Sequence, residues 1–143
     1  MKALSGVIFL TAALFCCGQA ESRDWANLMS DNDYQYAYEK DTIVRPSKGI
    51  VNVWVRRECK DEAARQRIIA NRKEDAVLYK DYQGSKQLIE INCIKGTMDI
   101  LSSTDYTING DTLWSMAYST RDPDPIPPGS RIDSVAKIVC KKD

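Results

Sequence analysis

Five cysteines and no histidine set the chemistry open to this 143-residue chain. Without imidazole there is no Ser–His or Cys–His nucleophile pair, no imidazole metal ligand and no ordinary general base near neutral pH. Carboxylate, lysine or tyrosine chemistry remains open in principle. No motif for it occurs, so neither an enzyme nor a cofactor is expected. Asp122 and Asp124 carry oxygens suited to calcium, but the flanking prolines and the lack of further ligands read as a turn, and no metal is expected. The remaining chemistry belongs to sulfur and to aromatic and cationic surfaces.

The sulfur divides by position. Met1-Lys2 is a short positive start, and Ala3 to Cys17 is an uncharged apolar run, too short for a comfortable membrane span of about 20 residues. With Gly18-Gln19-Ala20 after it, the run reads as a secretory signal over 1–20, cleaved between Ala20 and Glu21. The alternative is lipid modification at Cys17, which would hold the product on a membrane. Leu14-Phe15-Cys16 fits a lipoprotein signal only at Leu14, so the soluble product is favoured. Export to the periplasm, the cell surface or the medium is expected either way.

Cleavage takes 20 of the 143 residues and one lysine, leaving 123 residues with 19 basic and 20 acidic side chains. That length suits one domain over 21–143. A net charge of −1 is poor for generic nucleic-acid binding, which needs a positive field. Cys59, Cys93 and Cys140 remain, and in an oxidising compartment two of them should pair.

The elements that position these groups are mostly strands. Trp25 to Met29 is a short strand, and Ser30 to Asp33 a turn cluster. Tyr34-Gln35-Tyr36-Ala37-Tyr38-Glu39 alternates with its tyrosines on one face. Ile50 to Val55, apolar on both faces, reads as a central strand. Residues 60–80 suggest a short, largely exposed helix capped by Asp61. Lys86 to Ile94 places Ile89, Ile91 and Cys93 on one face, and Thr97 to Tyr106 places Met98, Ile100 and Tyr106 on one side. Asn109-Gly110 predicts a type I′ hairpin into Asp111 to Met116. The proline run at 123–128 is a stiff connector rather than a polyproline ligand.

Ser130 then opens a capping box with Asp133, and Ile132, Val135, Ala136, Val139 and Cys140 form one apolar helix face. The fold class is therefore α+β: an antiparallel sheet of about six strands with a C-terminal helix on one face.

Cys140 on that helix stripe and Cys93 on the sheet's apolar face are the favoured pair, with bridges to Cys59, or none, as alternatives. Such a bridge is worth on the order of 4 kcal/mol. Cys59 lies among charged neighbours and reads as an exposed, unpaired thiol. The sharper reading is an intermolecular disulfide that makes a homodimer.

Two surfaces are candidates for binding. Tyr34, Tyr36 and Tyr38 form an aromatic ladder, read first as core or half-core and second as a contact surface. Residues 56–73, beginning with Arg56 and Arg57, hold seven basic against three acidic side chains, read first as a solvated face.

The order of several short motifs resembles the surface-adhesin protein E family of bacterial exported proteins. Trp25 opens the domain, and Tyr38-Glu39-Lys40-Asp41-Thr42-Ile43 is similar to the family's Tyr-Asp-Pro-x-Ser-Ile, followed by Val53-Trp54-Val55. Glu90-Ile91-Asn92-Cys93 is similar to its Glu-Ile-Asp-Cys, and Pro128-Gly129-Ser130 with Cys140 to its C-terminal signature. Glu39, Lys40, Asn92 and the extra Cys59 depart from the pattern. The resemblance implies an antiparallel sheet with a helix tethered by a disulfide, an adhesive role toward protein partners, and no catalytic residues. The function expected is an exported, non-enzymatic module making protein–protein contacts. A structural or assembly role in the bacterial envelope is the alternative.

Overall fold

The computed structural model describes residues 24–141. The signal segment, the Ala20–Glu21 cleavage site, Cys16 and Cys17 lie outside the described residues. Six strands follow one another as an antiparallel meander: β1 (Trp25–Ser30), β2 (Tyr34–Glu39), β4 (Ile50–Cys59), β5 (Tyr82–Asn92), β6 (Thr97–Thr107) and β7 (Thr112–Ala117). Two short strands join it from the side. β3 (Val44–Ser47) pairs with β4 and β8 (Asp124–Pro125) with β6. β8 falls in the proline run read as a stiff connector, and both strands contain proline, which short edge pairing tolerates because few ladder hydrogen bonds are needed there.

The helices α1 (Glu62–Asn71) and α2 (Arg131–Val139) fall where the sequence places them, and Asp61 caps α1 by accepting from the Ala64 N–H. Ser130 caps α2 by accepting from the Asp133 N–H, 3.1 Å. The returning bond of the box goes one residue further out, from the Gly129 N–H to Asp133 Oδ2 at 2.8 Å. Lys137, one turn on, holds that carboxyl below its usual range, with the Gly129 bond adding to the effect.

The core forms because three periodicities coincide. Val51, Val53 and Val55 on β4 and Ile89 and Ile91 on β5 share one face, and Ile132, Val135 and Val139 of α2 close over them. All eight are buried, each contributing roughly 1.5–3 kcal/mol by leaving water. Cys93 and Cys140 are joined by a disulfide with Cα atoms 5.6 Å apart, across 47 positions of sequence. Arg45 of β3 adds a second tie, donating to the Val139 carbonyl at 2.9 Å.

Three local expectations are overturned. A β-bulge between Ile100 and Ser102 shifts the register of β6 on β5, so Tyr106 faces away from Met98 and Ile100. Tyr106 lies opposite Gly84 and donates to Glu58 Oε1 at 2.9 Å; a side chain at Gly84 would run into the Arg57 carbonyl. The Asn109-Gly110 turn is not type I′, because only Gly110 of the pair has positive φ. Gly110 N–H bonds to the Thr107 carbonyl and Thr107 N–H to the Asp111 carbonyl, a three-residue loop closed by a left-handed glycine. Cys59 is unpaired as expected but buried, not exposed. β4 runs four residues past Val55, and its alternation turns Cys59 inward under α1.

Candidate functional site

A single row of residues crosses the sheet between its two buried clusters. Tyr36 of β2 pairs with Arg57 of β4, Arg57 with Ser85 of β5, Ser85 with Asp105 of β6, and Asp105 with Trp114 of β7. Cross-strand partners share a face, so all five point to the side covered by the helices. On one flank lies the cluster under α2. On the other, Cys59, Ile68, Tyr79 and Tyr82 form a second cluster under α1 and the segment after it.

The tyrosine ladder is divided between these surroundings. Tyr38 packs on the first cluster and Tyr34 on the second. Tyr36 stands between them and donates to Asp31 Oδ2 at 2.8 Å. All three rings are half-buried. Burial pushes the Tyr34 and Tyr36 hydroxyls above their ordinary range. Asp31 is held low, mainly by the Tyr34 N–H, with the Asp33 N–H and the Tyr36 hydroxyl adding to it.

Arg56 and Arg57 part company because β4 alternates. The Arg56 guanidinium lies on the other face, 4.5 Å from the Trp25 ring centroid and 3.4 Å from Glu58. Arg57 lies on the helix side, 5.0 Å from the Tyr34 ring, with Nε 3.5 Å from Ser85 Oγ. Arg131, the first residue of α2, reaches to 5.4 Å from the Tyr36 ring.

Between them lies a small cleft of about 20 Å³, walled by Leu28, Val55, Ile132 and Val135 and edged by Tyr36, Arg57, Ser85, Gln87 and Arg131. The sequence reading missed Arg131. The available signal was a cation in the first turn of a helix, where the dipole is adverse to it and some other interaction must hold it.

The floor beside the cleft is a hydrogen-bonded polar network, also unseen in sequence. Ser85 Oγ donates to Asp105 Oδ1 at 2.6 Å and meets the Tyr82 hydroxyl at 2.9 Å. Tyr79 donates to Asp105 Oδ2 at 3.0 Å, and Arg72 approaches the same oxygen at 3.8 Å while stacking 3.6 Å from the Tyr79 centroid. Tyr79 is pushed up by burial first and by this carboxylate second. Asp105 is thus already engaged by a serine, a tyrosine and an arginine. The serine–aspartate contact lacks the base that would make a nucleophile of it, and it holds the network together instead.

Asp122 is exposed, and Asp124 pairs with Met98 through β8. Among the described residues no group of three or more side chains could hold a metal ion, and no helix is long and apolar enough to cross a membrane.

β7 completes the helix side. Trp114, Met116 and Tyr118 are 39%, 46% and 42% exposed, and among the described residues β7 pairs only with β6. Thr112 to Ser119 carries no charge.

The family model described as Surface-adhesin protein E matches residues 25–141 of the chain. No curated protein and no solved structure matches it.

Proposed function

The chain belongs to the surface-adhesin protein E family, and on that premise we propose that it is an exported, non-enzymatic binding module making adhesive protein–protein contacts. Residues 1–20 act as the export signal, cleaved between Ala20 and Glu21. The oxidising destination that this implies agrees with the Cys93–Cys140 bridge.

The observation that carries the reading is the row Trp114, Met116 and Tyr118. Trp114 and Met116 stand exposed on the tyrosine-bearing side of an uncharged strand whose outer edge is unpaired among the described residues, and the exposed Tyr118 follows just past its end. Soluble proteins usually blunt such edges with lysine or proline, and contiguous exposed apolar area marks an interaction surface. Tyr36 and Arg57 continue the same surface inward along the cross-strand row, with Tyr34 and Tyr38 beside them. Arg56 belongs with Trp25 on the opposite face.

The test is binding of the purified protein to immobilised extracellular-matrix and envelope proteins, beside a Trp114→Ser/Met116→Ser variant. Saturable binding that the double substitution weakens at least tenfold, or about 1.4 kcal/mol, is expected. Absence of saturable binding to both sets would favour the alternative, a structural role in the envelope without a host ligand.

A further inference from the structure

Three pieces of chain meet at the end of the sheet that carries the disulfide. The β3–β4 turn is tied to the start of the β5–β6 turn by the Cys93 N–H, which donates to the Gly49 carbonyl at 2.8 Å. The end of α2 joins them through the Cys93–Cys140 bridge and through Arg45, which donates to the Val139 carbonyl at 2.9 Å. Residues 44–49, 93–96 and 139–141 carry Arg45, Lys48, Lys95 and Lys141 and no acidic side chain. Lys95 edges a separate hollow beside Glu90 and Asp99. The other three cations line one open groove of about 520 Å³, together with Gly49, Cys93, Ile94 and Cys140. That volume lies within the range of ligand sites, about 300–1,000 Å³.

Among the described residues, none of Arg45, Lys48 and Lys141 has a carboxylate within ion-pair distance. Lys141 follows the C-terminal end of α2, where the dipole favours a cation. Arg45 is fixed by a carbonyl, a neutral acceptor that leaves its charge uncancelled. Lys48 stands exposed in the two-residue turn between Ser47 and Ile50, and neither reason applies to it. Like charges gathered around one groove repel each other, and an anion seated among them relieves that repulsion.

The groove is not polar throughout. Ile94 is 73% exposed, yet its side chain rests against Gly49, where any Cβ would run into it. The half-buried disulfide lines the groove beside it. A large apolar side chain held in place in water is an offered contact, because little remains to be ordered when a partner covers it.

We propose that this groove binds an acidic segment of a protein partner, its carboxylates facing Arg45, Lys48 and Lys141 and an apolar side chain lying on Ile94 and the disulfide. Charge alone would suit any polyanion, and the apolar floor chooses among them. An inorganic anion or a sulfated polysaccharide meets the cations but leaves Ile94 in water. A peptide supplies both kinds of group from neighbouring residues. The planar fork of Arg45 gives direction to one carboxylate, while the lysines act as mobile point charges.

The inference rests on the protein-binding reading above and adds a contact that shares no residue with the β7 row. Its test is fluorescence anisotropy of a dye-labelled Glu-Glu-Leu-Glu-Glu peptide titrated with the purified protein. Saturable binding is expected, with the Gln-Gln-Leu-Gln-Gln and Glu-Glu-Ser-Glu-Glu counterparts each about tenfold weaker. Lys48→Gln/Lys141→Gln should weaken the first peptide by roughly the same factor with an unchanged melting temperature. Ile94→Ser should abolish the preference for leucine over serine. Lys80→Gln, which removes an exposed lysine just before β5, should leave the affinity as it was. Equal binding of the glutamate and glutamine peptides, or an affinity unchanged in Lys48→Gln/Lys141→Gln, overturns the proposal. So does heparin bound through the same lysines more tightly than the peptide and equally well by Ile94→Ser, since charge alone would then decide the occupant.

The two readings fail separately. Capture of matrix or envelope proteins that survives Lys48→Gln/Lys141→Gln, with no peptide bound in the groove, overturns the acidic-segment site and spares the adhesive reading. A glutamate peptide seated by those lysines, in a protein that captures no macromolecular partner, does the reverse.

Discussion

The cluster under α2 and the cluster under α1 occupy one face of one sheet, yet they hold together by different means. Under α2 the eight buried residues are all aliphatic, their helix is strongly amphipathic, and a disulfide and Arg45 fasten its C-terminal end. Under α1 the buried residues are a cysteine, an isoleucine and two tyrosines, and their polar atoms are satisfied by Ser85, Asp105 and Arg72. The first is a dry core that tolerates little change in volume. The second is a hydrogen-bonded one, whose cohesion depends on every partner being present. The cleft lies on the seam between them.

Removing the tether should show the contrast at its largest. Cys93→Ser/Cys140→Ser is expected to lower unfolding free energy by about 4 kcal/mol in denaturant melts. Hydrogen exchange should rise across α2 while the amides of α1 keep their protection. Equal loosening of both helices would mean that the two clusters are one cooperative unit. Next in size, Ile89→Ala should cost about 3 kcal/mol, the loss of a fully buried side chain from a packed aliphatic core. On the other side, Asp105→Ala should cost about 2 kcal/mol by stranding the Ser85 and Tyr79 hydroxyls and Arg72. A larger loss at Asp105 than at Ile89 would reverse the ranking of the two clusters.

The same contrast explains what could be read from the sequence. The α2 cluster was legible because period-two strands and a helical stripe each announce a buried face locally, and Cys93 and Cys140 each lay on one. Six strands, both helix caps and the bridge follow from such local signals. The α1 cluster was not legible, since α1 has almost no apolar stripe, Tyr79 belongs to the stretch 60–80 read as a largely exposed helix, and Tyr82 opens β5 four residues before the strand expected from Lys86. Its partners come from β4, β5 and β6, and only the strand register brings them together. Tyr106 shows the limit within one strand. A bulge in β6 reverses its face, and no residue type near Leu101 marks the insertion. The candidate site is intermediate: Tyr36 and Arg57 were visible as types, while Arg131, Ser85 and Asp105 needed the topology.

The smallest test concerns Cys59, the thiol sealed into the polar cluster. Burial pushes it up to about 11, against the pull of Arg65, Arg57 and Arg72. The folded chain therefore holds this proton more tightly than the unfolded chain. Its contribution to stability is complete below the unfolded value of 9.0 and is lost as pH rises from there toward 11. By about pH 9.5 the loss should reach about 1 kcal/mol. The half-buried Tyr34 and Tyr36 and the buried Tyr79 and Tyr106 are raised too and bend the curve in the same direction. The clean measurement is thus the difference between the native protein and Cys59→Ala. The alanine adds a constant cavity cost at every pH, so only the slope between about pH 8 and 10 reports the thiol. The native protein should lose stability more steeply than the variant across that window. It should also react with a thiol reagent only as fast as the cluster opens. Parallel curves, or immediate reaction, would show that water already reaches this cluster in the folded state, removing the sealed interior on which its comparison with the α2 core depends.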